Sequence, residues 1–166
     1  MRTTAVFGFV GALLAFAACA GTLTNSQDAY SLEFGSGWTL DRSERQFSVS
    51  HSDGSSFTGL KAELPPNVKS VKVAGLMLQA TALAAGLCGK DTAEFELSGP
   101  GWTGAGFQCN DRPGERNAQS QTIGLAVKHG ESFFQFMLFV PRQDWTTQSA
   151  SYLALLRSLR FREQRS

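Results

Sequence analysis

The chain has 166 residues and a formal net charge of +1 at pH 7, a length suited to one domain with a substantial core. Arg2 is the only charged side chain in the first 20 residues, so the remainder balances 14 basic against 14 acidic residues. A near-neutral chain lacks the concentrated basic surface that nucleic-acid binding requires. With 42% hydrophobic residues, 17 glycines and 10 phenylalanines after position 20, the composition excludes a disordered polymer and fits a packed globular domain.

The first 20 residues differ from the rest. After Met1–Thr4, Ala5–Ala18 is an uncharged run, AVFGFVGALLAFAA, too short to cross a bilayer as a helix but suited to the apolar region of a secretory signal. Residues 1–20 are therefore expected to be a signal peptide, and the protein to be exported. Cysteine parity bears on its end. Cys19, Cys88 and Cys109 are the three cysteines, and an oxidising compartment disfavours an orphan thiol. A pair is left either by lipid on Cys19 after a cut behind Ala18, or by a cut behind Ala20. Parity does not separate the two. Phe16-Ala17-Ala18-Cys19 resembles the bacterial lipoprotein signal, with Phe16 where Leu is usual, and the resemblance implies acyl chains such as palmitate on Cys19 and anchorage in the periplasm. The polar stretch that follows, residues 21–28, reads as a tether. The nine residue steps from Cys19 to Asp28 reach at most about 30 Å when extended, which would keep the domain close to its membrane.

From Asp28 onward, short strands surround one helix and precede another. Ala29–Phe34 sets Tyr30, Leu32 and Phe34 against Ser31 and Glu33, the alternation of a half-buried strand. After the GSGW turn, Trp38-Thr39-Leu40 resumes the strand, and Arg45–Ser50 is another. Asp53-Gly54 is a strong hairpin signal, after which Phe57–Leu64 returns until Pro65-Pro66 stops the sheet. Asn67 or Ser70 can cap a helix running to about Cys88, with Val71, Leu78 and Ala85 at helical spacing. Its alanines and Gly75 suit close approach to a sheet. Ala93–Leu97 and Gly104–Asn110 read as strands, and Asp111–Gln119 as the most polar loop. Thr122–His129 and Ser132–Val140 form a hairpin about Gly130-Glu131, and the apolar SFFQFMLFV reads as a central strand covered on both faces. Asp144 or Thr146 can cap a last helix through Ser158, with Tyr152, Leu155, Leu156 and Leu159 as its apolar stripe.

These elements give an α+β single domain in which a central antiparallel sheet is sandwiched by helices, an α/β/α arrangement. Tyr30–Phe34, Gly37-Trp38 and YLALLRSLRF at Tyr152–Phe161 make the chain similar to the PsbP/DcrB-like family over residues 29–163, with Gly35-Ser36 where a Pro is common. The resemblance implies periplasmic or lipoprotein relatives and photosystem accessory proteins, and transfers no catalytic residue.

Few residues point to chemistry. Cys88 and Cys109 are expected to form a disulfide, worth roughly 3 kcal/mol in the chain-entropy model for a loop of about 20 residues; with only His51 and His129 in the chain, a zinc site is not expected. Gly99–Gly104, GPGWTG, satisfies G-x-G-x-x-G, but a strand follows it where a dinucleotide site needs a helix N-terminus, so it reads as a bend. His51, Asp53 and Ser55 lie on one turn, whereas triads converge from separate loops. His129 reads as an exposed turn residue. Glu94 and Glu96 share a strand face with Asp91 nearby, and Asp111 and Glu115 lack calcium-loop spacing. Arg157, Arg160, Arg162 and Arg165 complement a helix C-terminus, and would also suit anionic head groups.

The expectation is a non-catalytic, exported accessory or binding protein, with no cofactor and no nucleic-acid partner, joined to the membrane through lipid on Cys19. It would act on an envelope protein through Trp38, Trp102 and Arg157, Arg160 and Arg162, with Trp38 and Trp102 as exposed anchors. The alternative is a carrier of a small apolar ligand, held in a cleft between sheet and helix.

Overall fold

A computed structural model describes residues 21–25, 30–42, 47–89, 91–110 and 120–162. The expected signal segment with Cys19, the polar stretch 111–119 and Arg165 lie outside the described residues.

Seven antiparallel strands make the main sheet: β3 (Trp38–Arg42), β4 (Phe47–His51), β5 (Ser56–Ala62), β6 (Thr92–Gly99), β7 (Trp102–Asn110), β8 (Ser120–His129) and β9 (Ser132–Pro141). Their order is β3-β4-β5-β9-β8-β7-β6, so the apolar β9 is central, as its composition predicts. Helix α1 (Val71–Ala84) follows β5 and carries the chain to the β6 edge. Ser70 caps it, its hydroxyl accepting from the Lys72 amide at 3.2 Å, which satisfies one of the first-turn donors.

The strand read at Ala29–Phe34 belongs to a second layer. β2 (Tyr30–Phe34) is the middle of a three-stranded sheet, between β1 (Gly21–Asn25) and β10 (Arg160–Phe161). This corrects the tether expected over residues 21–28. Gly21–Asn25 pairs antiparallel with β2 from Gly21↔Phe34 to Asn25↔Tyr30. The physical reason is that β2 on its own would leave a row of backbone donors and acceptors unmatched.

The small sheet and α2 (Arg142–Arg157) cover one face of the main sheet, and α1 covers part of the other. Tyr30, Leu32 and Phe34 of β2 meet Phe47, Val49, Phe57, Phe134, Phe136 and Leu138 from the main sheet, with Tyr152, Leu155, Leu156 and Leu159 from α2. On the other face Ala74, Leu78 and Ala82 of α1 pack on Phe107, Ala126 and Phe133. This helix lies over β7 and β8. The expectation that β9 is covered on both faces is met fully on one and in part on the other: Phe134, Phe136, Leu138 and Val140 are buried, and on the second face Phe133 is buried under α1 whereas Gln135, Met137 and Phe139 are half-buried. On that second face β4 and β5 present Ser48, Ser50, Ser56 and Thr58, polar side chains that need no cover.

α2 starts at Arg142 behind Pro141, without a side-chain cap. Asp144 sits in the first turn rather than at the cap, where its charge still favours the positive end of the helix dipole. Cys88 and Cys109 stand with Cα atoms 5.5 Å apart and their sulfurs in bonding contact, a separation typical of disulfides.

Tyr30 fixes how the layers meet. Its ring lies edge-on to Phe136 at 5.2 Å and to Phe47 at 5.6 Å, above Gly59 of β5. A methyl group at Gly59 would lie 2.5 Å from the Tyr30 hydroxyl and 2.8 Å from the Phe136 ring. Gly59→Ala is therefore expected to lower the unfolding free energy by about 1–3 kcal/mol, the usual cost of overpacking. Gly35→Ala, with open space around it, should stay within about 0.5 kcal/mol of the parent. Urea midpoints of the two variants check both values.

Candidate functional site

A cleft lies where the β2–β3 turn, the β4–β5 hairpin and α2 meet. Its volume is about 430 Å³, and Glu33, Ser36, Trp38, His51, Asp53, Gln148, Ser151 and Tyr152 contribute to its walls. The turn is built by Gly37, whose φ of 89° lies in the left-handed region that glycine tolerates. Any Cβ there would also run into the His51 ring. Trp38 is half-buried between Phe34, at 5.1 Å between ring centroids, and His51, at 5.2 Å.

His51 fastens the turn to the hairpin. Its Nδ1 lies 2.9 Å from Asp53 Oδ2 and its Nε2 3.0 Å from the Ser36 carbonyl, so both ring nitrogens are occupied within the protein. Asp53 Oδ1 accepts from the Ser55 amide at 2.7 Å. Tyr152 of α2 donates to Asp53 Oδ2 at 3.3 Å, and its hydroxyl lies 3.1 Å from Ser55 Oγ. His51, Asp53 and Ser55, adjacent in sequence, thus join a network completed by Tyr152 rather than a triad: Ser55 faces the tyrosine, and His51 faces a backbone carbonyl. Tyr152 was legible only as part of the apolar stripe of its helix, because its hydroxyl partner lies 97 residues away in sequence.

Partial burial pushes the Asp53 carboxyl up, but donation from the Ser55 backbone and hydroxyl, together with His51, outweighs it and holds the group below its ordinary value. Tyr152 is pushed up, first by burial; the Ser55 hydrogen bond opposes this and the Asp53 charge adds to it. The network thus favours a charged carboxylate beside a neutral phenol.

The remaining expected residues fall in several places. Trp102 is not an exposed anchor: it is buried, and its indole N–H donates to the Leu159 carbonyl at 3.0 Å. The reason lies in the β6–β7 turn. Gly99 pairs with Trp102, and a side chain on Gly99 would strike the indole, so the glycines read as a bend make room for a core tryptophan that ties the exit of α2. Gly101, with φ 71° after Pro100, fits the Pro-Gly order of a type II turn. Arg157, Arg160 and Arg162 are exposed, and Arg160 donates to the Arg157 and Leu159 carbonyls, each at 2.9 Å, capping the end of α2. His129 is half-buried, donates from Nδ1 to the Gly101 carbonyl at 2.8 Å, and stacks on Phe161 at 4.4 Å. Glu94 and Glu96 are exposed on β6, and Glu96 pairs with Lys72 at 3.1 Å.

The cleft expected between α1 and the sheet is open toward the β6 edge and closed where Gly75 crosses β7. A Cβ on Gly75 would lie 2.9 Å from the Ala105 carbonyl oxygen. Beside this contact an open groove of about 360 Å³ runs between α1 and β6, with Lys72, Leu76, Gln79, Glu94 and Glu96 on its walls.

No protein-family model matches the chain, and no curated protein matches it. Among solved structures, the solution structure of cyanobacterial PsbP (CyanoP) from Synechocystis sp. PCC 6803 is similar to it with a TM-score of 0.65 at 12% identity, covering 95% of this chain and 98% of that one. A crystal structure from Bacteroides thetaiotaomicron VPI-5482 is similar with a TM-score of 0.51 at 13% identity, covering 83% of this chain, which spans about half (47%) of that protein. The fold is PsbP-like, α+β with a large antiparallel sheet and two helices.

The Asp53 network carries a pH dependence of known sign. A carboxyl held low in the folded state contributes stability that is present above its unfolded value, about 3.9, and is lost as pH falls through the folded value. The parent should therefore be more stable than Asp53→Asn at pH 7. The gap should close as the pH drops below about 4, and urea midpoints of the two proteins between pH 7 and 3 check it.

Proposed function

We propose that the chain is an exported, non-enzymatic accessory protein, anchored by acyl chains on Cys19, that acts by contact with another protein of the bacterial envelope. The observation that carries the contact reading is the outer face of α1. The helix is apolar on nearly every side, with Lys72, Gln79 and Thr81 as its polar residues. A helix of that kind is ordinarily buried all round. Here Val73, Leu76, Ala80 and Ala84 are exposed three or four residues apart, and Leu87 continues the ridge just beyond the helix. Leu76 is 53% exposed and Val73 44%. Contiguous apolar ridges with a polar margin mark partner sites, and Lys72 with Glu96 supplies such a margin.

Three further features support the reading. The PsbP-like fold covers 95% of the chain, and the resemblance in sequence pattern implies accessory proteins. The imidazole, carboxylate and hydroxyls of the cleft are engaged with one another, an arrangement suited to holding a turn in place. The signal-like leader ends at a cysteine two residues before the first strand. The exposed Arg157, Arg160 and Arg162 add a basic margin at the end of α2, able to meet acidic groups of a partner.

Two measurements test this. The intact mass of protein recovered from membranes is expected to begin at Cys19 and to include acyl chains; a mass beginning at Gly21 without lipid overturns the anchor. Pull-down from envelope extracts is expected to recover a reproducible partner whose capture falls about tenfold or more with Leu76→Glu, because a charge would be buried at the centre of the contact. Capture unchanged by that substitution overturns the assignment of the surface.

A further inference from the structure

The geometry points to one corner of the molecule as the face seated on the lipid surface: the free end of β1, the turn at residues 35–37, Trp38 and Leu40. The inference rests on the anchor at Cys19 proposed above and adds which way the domain faces.

The length of free chain carries the argument. A nine-residue tether would allow any orientation. Because β1 begins at Gly21, only two residue steps separate it from Cys19, a span of at most about 7 Å. Acyl chains on Cys19 therefore hold the Gly21 end of β1 at the level of the head groups. Gly21 pairs with Phe34, the last residue of β2, and Gly35, Ser36 and Gly37 follow directly, all exposed.

The side to which β1 lies is also fixed. β10 is on the opposite side of β2, and its Phe161 contacts Phe134 at 4.7 Å and stacks on His129, which puts β10 toward β8 and β9. β1 then lies toward β3 and β4. Trp38 and Leu40 occupy one face of β3, and Leu40 is 41% exposed. A half-buried tryptophan beside an exposed leucine is the pairing found where protein meets head groups. Residues 33–40 contain no basic side chain, so acyl chains and apolar contact, rather than charge, would hold this corner down. Arg160 and Arg162 lie elsewhere. Arg160 is opposite Ser31, three residues or about 10 Å along β2 from Phe34, and Arg162 continues away from the Gly21 end. The cleft beside Trp38 and His51 would open at head-group level, and the α1 ridge, across the main sheet, would remain free for a protein partner.

The acylated protein, purified from membranes and its mass verified, is reconstituted into phosphatidylcholine vesicles with or without bromine on the acyl chains. Trp38 is one of three tryptophans, so brominated lipid is expected to quench at most about a third of the emission, as for one interfacial indole. Trp38→Phe should abolish the loss, and Leu40→Trp placed in that background should restore it, which guards against a misfolded single variant. The loss should be unchanged in Arg160→Gln/Arg162→Gln and in high salt. Quenching that survives Trp38→Phe, is absent from acylated protein, or depends on the arginines overturns the orientation and leaves the anchor standing. A mature chain without acyl groups overturns both.

Discussion

The structure depends on how a five-residue strand is laid across a seven-stranded sheet. β2 sends Tyr30, Leu32 and Phe34 into the core and keeps Ser31 and Glu33 on the outside. Tyr30 alone is edge-on to Phe47, Phe134, Phe136 and Phe161 at 5.2–6.1 Å, contacts worth about 0.5–1.5 kcal/mol each beyond area burial. Phe34 continues the pattern against Trp38, Phe47 and Phe57. Because β2 must be covered on its own edges, it recruits β1 from just before it and β10 from beyond α2. A core contact thus decides where both ends of the described domain leave its surface.

The same contact positions the cleft. Phe34 fixes the start of the β2–β3 turn, Gly37 lets that turn approach the His51 ring, and the ring ties it to the β4–β5 hairpin. From the other side, Ser158 at the end of α2 accepts the Glu33 amide at 2.8 Å and donates to Leu155 at 2.6 Å. The turn is therefore held at both ends by side chains distant in sequence, and Tyr152 brings α2 to Asp53 across the cleft floor. A polar network so fully matched internally gives rigidity, in keeping with a surface that presents a shape.

Much of this was legible in the sequence because the governing signals are local. Alternation in YSLEF, the Asp53-Gly54 turn, the Ser70 cap and the stripe of α2 each depend on residues within a few positions of one another, and each forms an element near where it was read. What the sequence left hidden depends on partners far along the chain. Gly21–Asn25 is a strand because β2 needs an edge, a demand invisible in a polar stretch. Trp102 looked like an exposed anchor in a glycine-rich bend, yet its N–H meets a carbonyl 57 residues away; the flanking glycines were the available signal, since bulky aromatics need neighbours without side chains. The Tyr152–Asp53 contact had no local signal at all.

The helix α1 shows the limit of a different rule. Its alanines and Gly75 read as adaptation to the sheet, and the contact of Gly75 with Ala105 fits that. Close approach, however, requires small residues on one side only. It gives no reason for Val73 and Leu76 on the opposite side, where a polar residue would cost nothing and aid solubility. β6, beside the helix, carries Glu94 and Glu96 on the face toward α1 and keeps its apolar Phe95 and Leu97 for the core, so the chain does discriminate solvent from interior at this edge. An apolar ridge retained next to a strand that obeys the rule is a selective exception, and a second protein surface is the simplest physical cause of one.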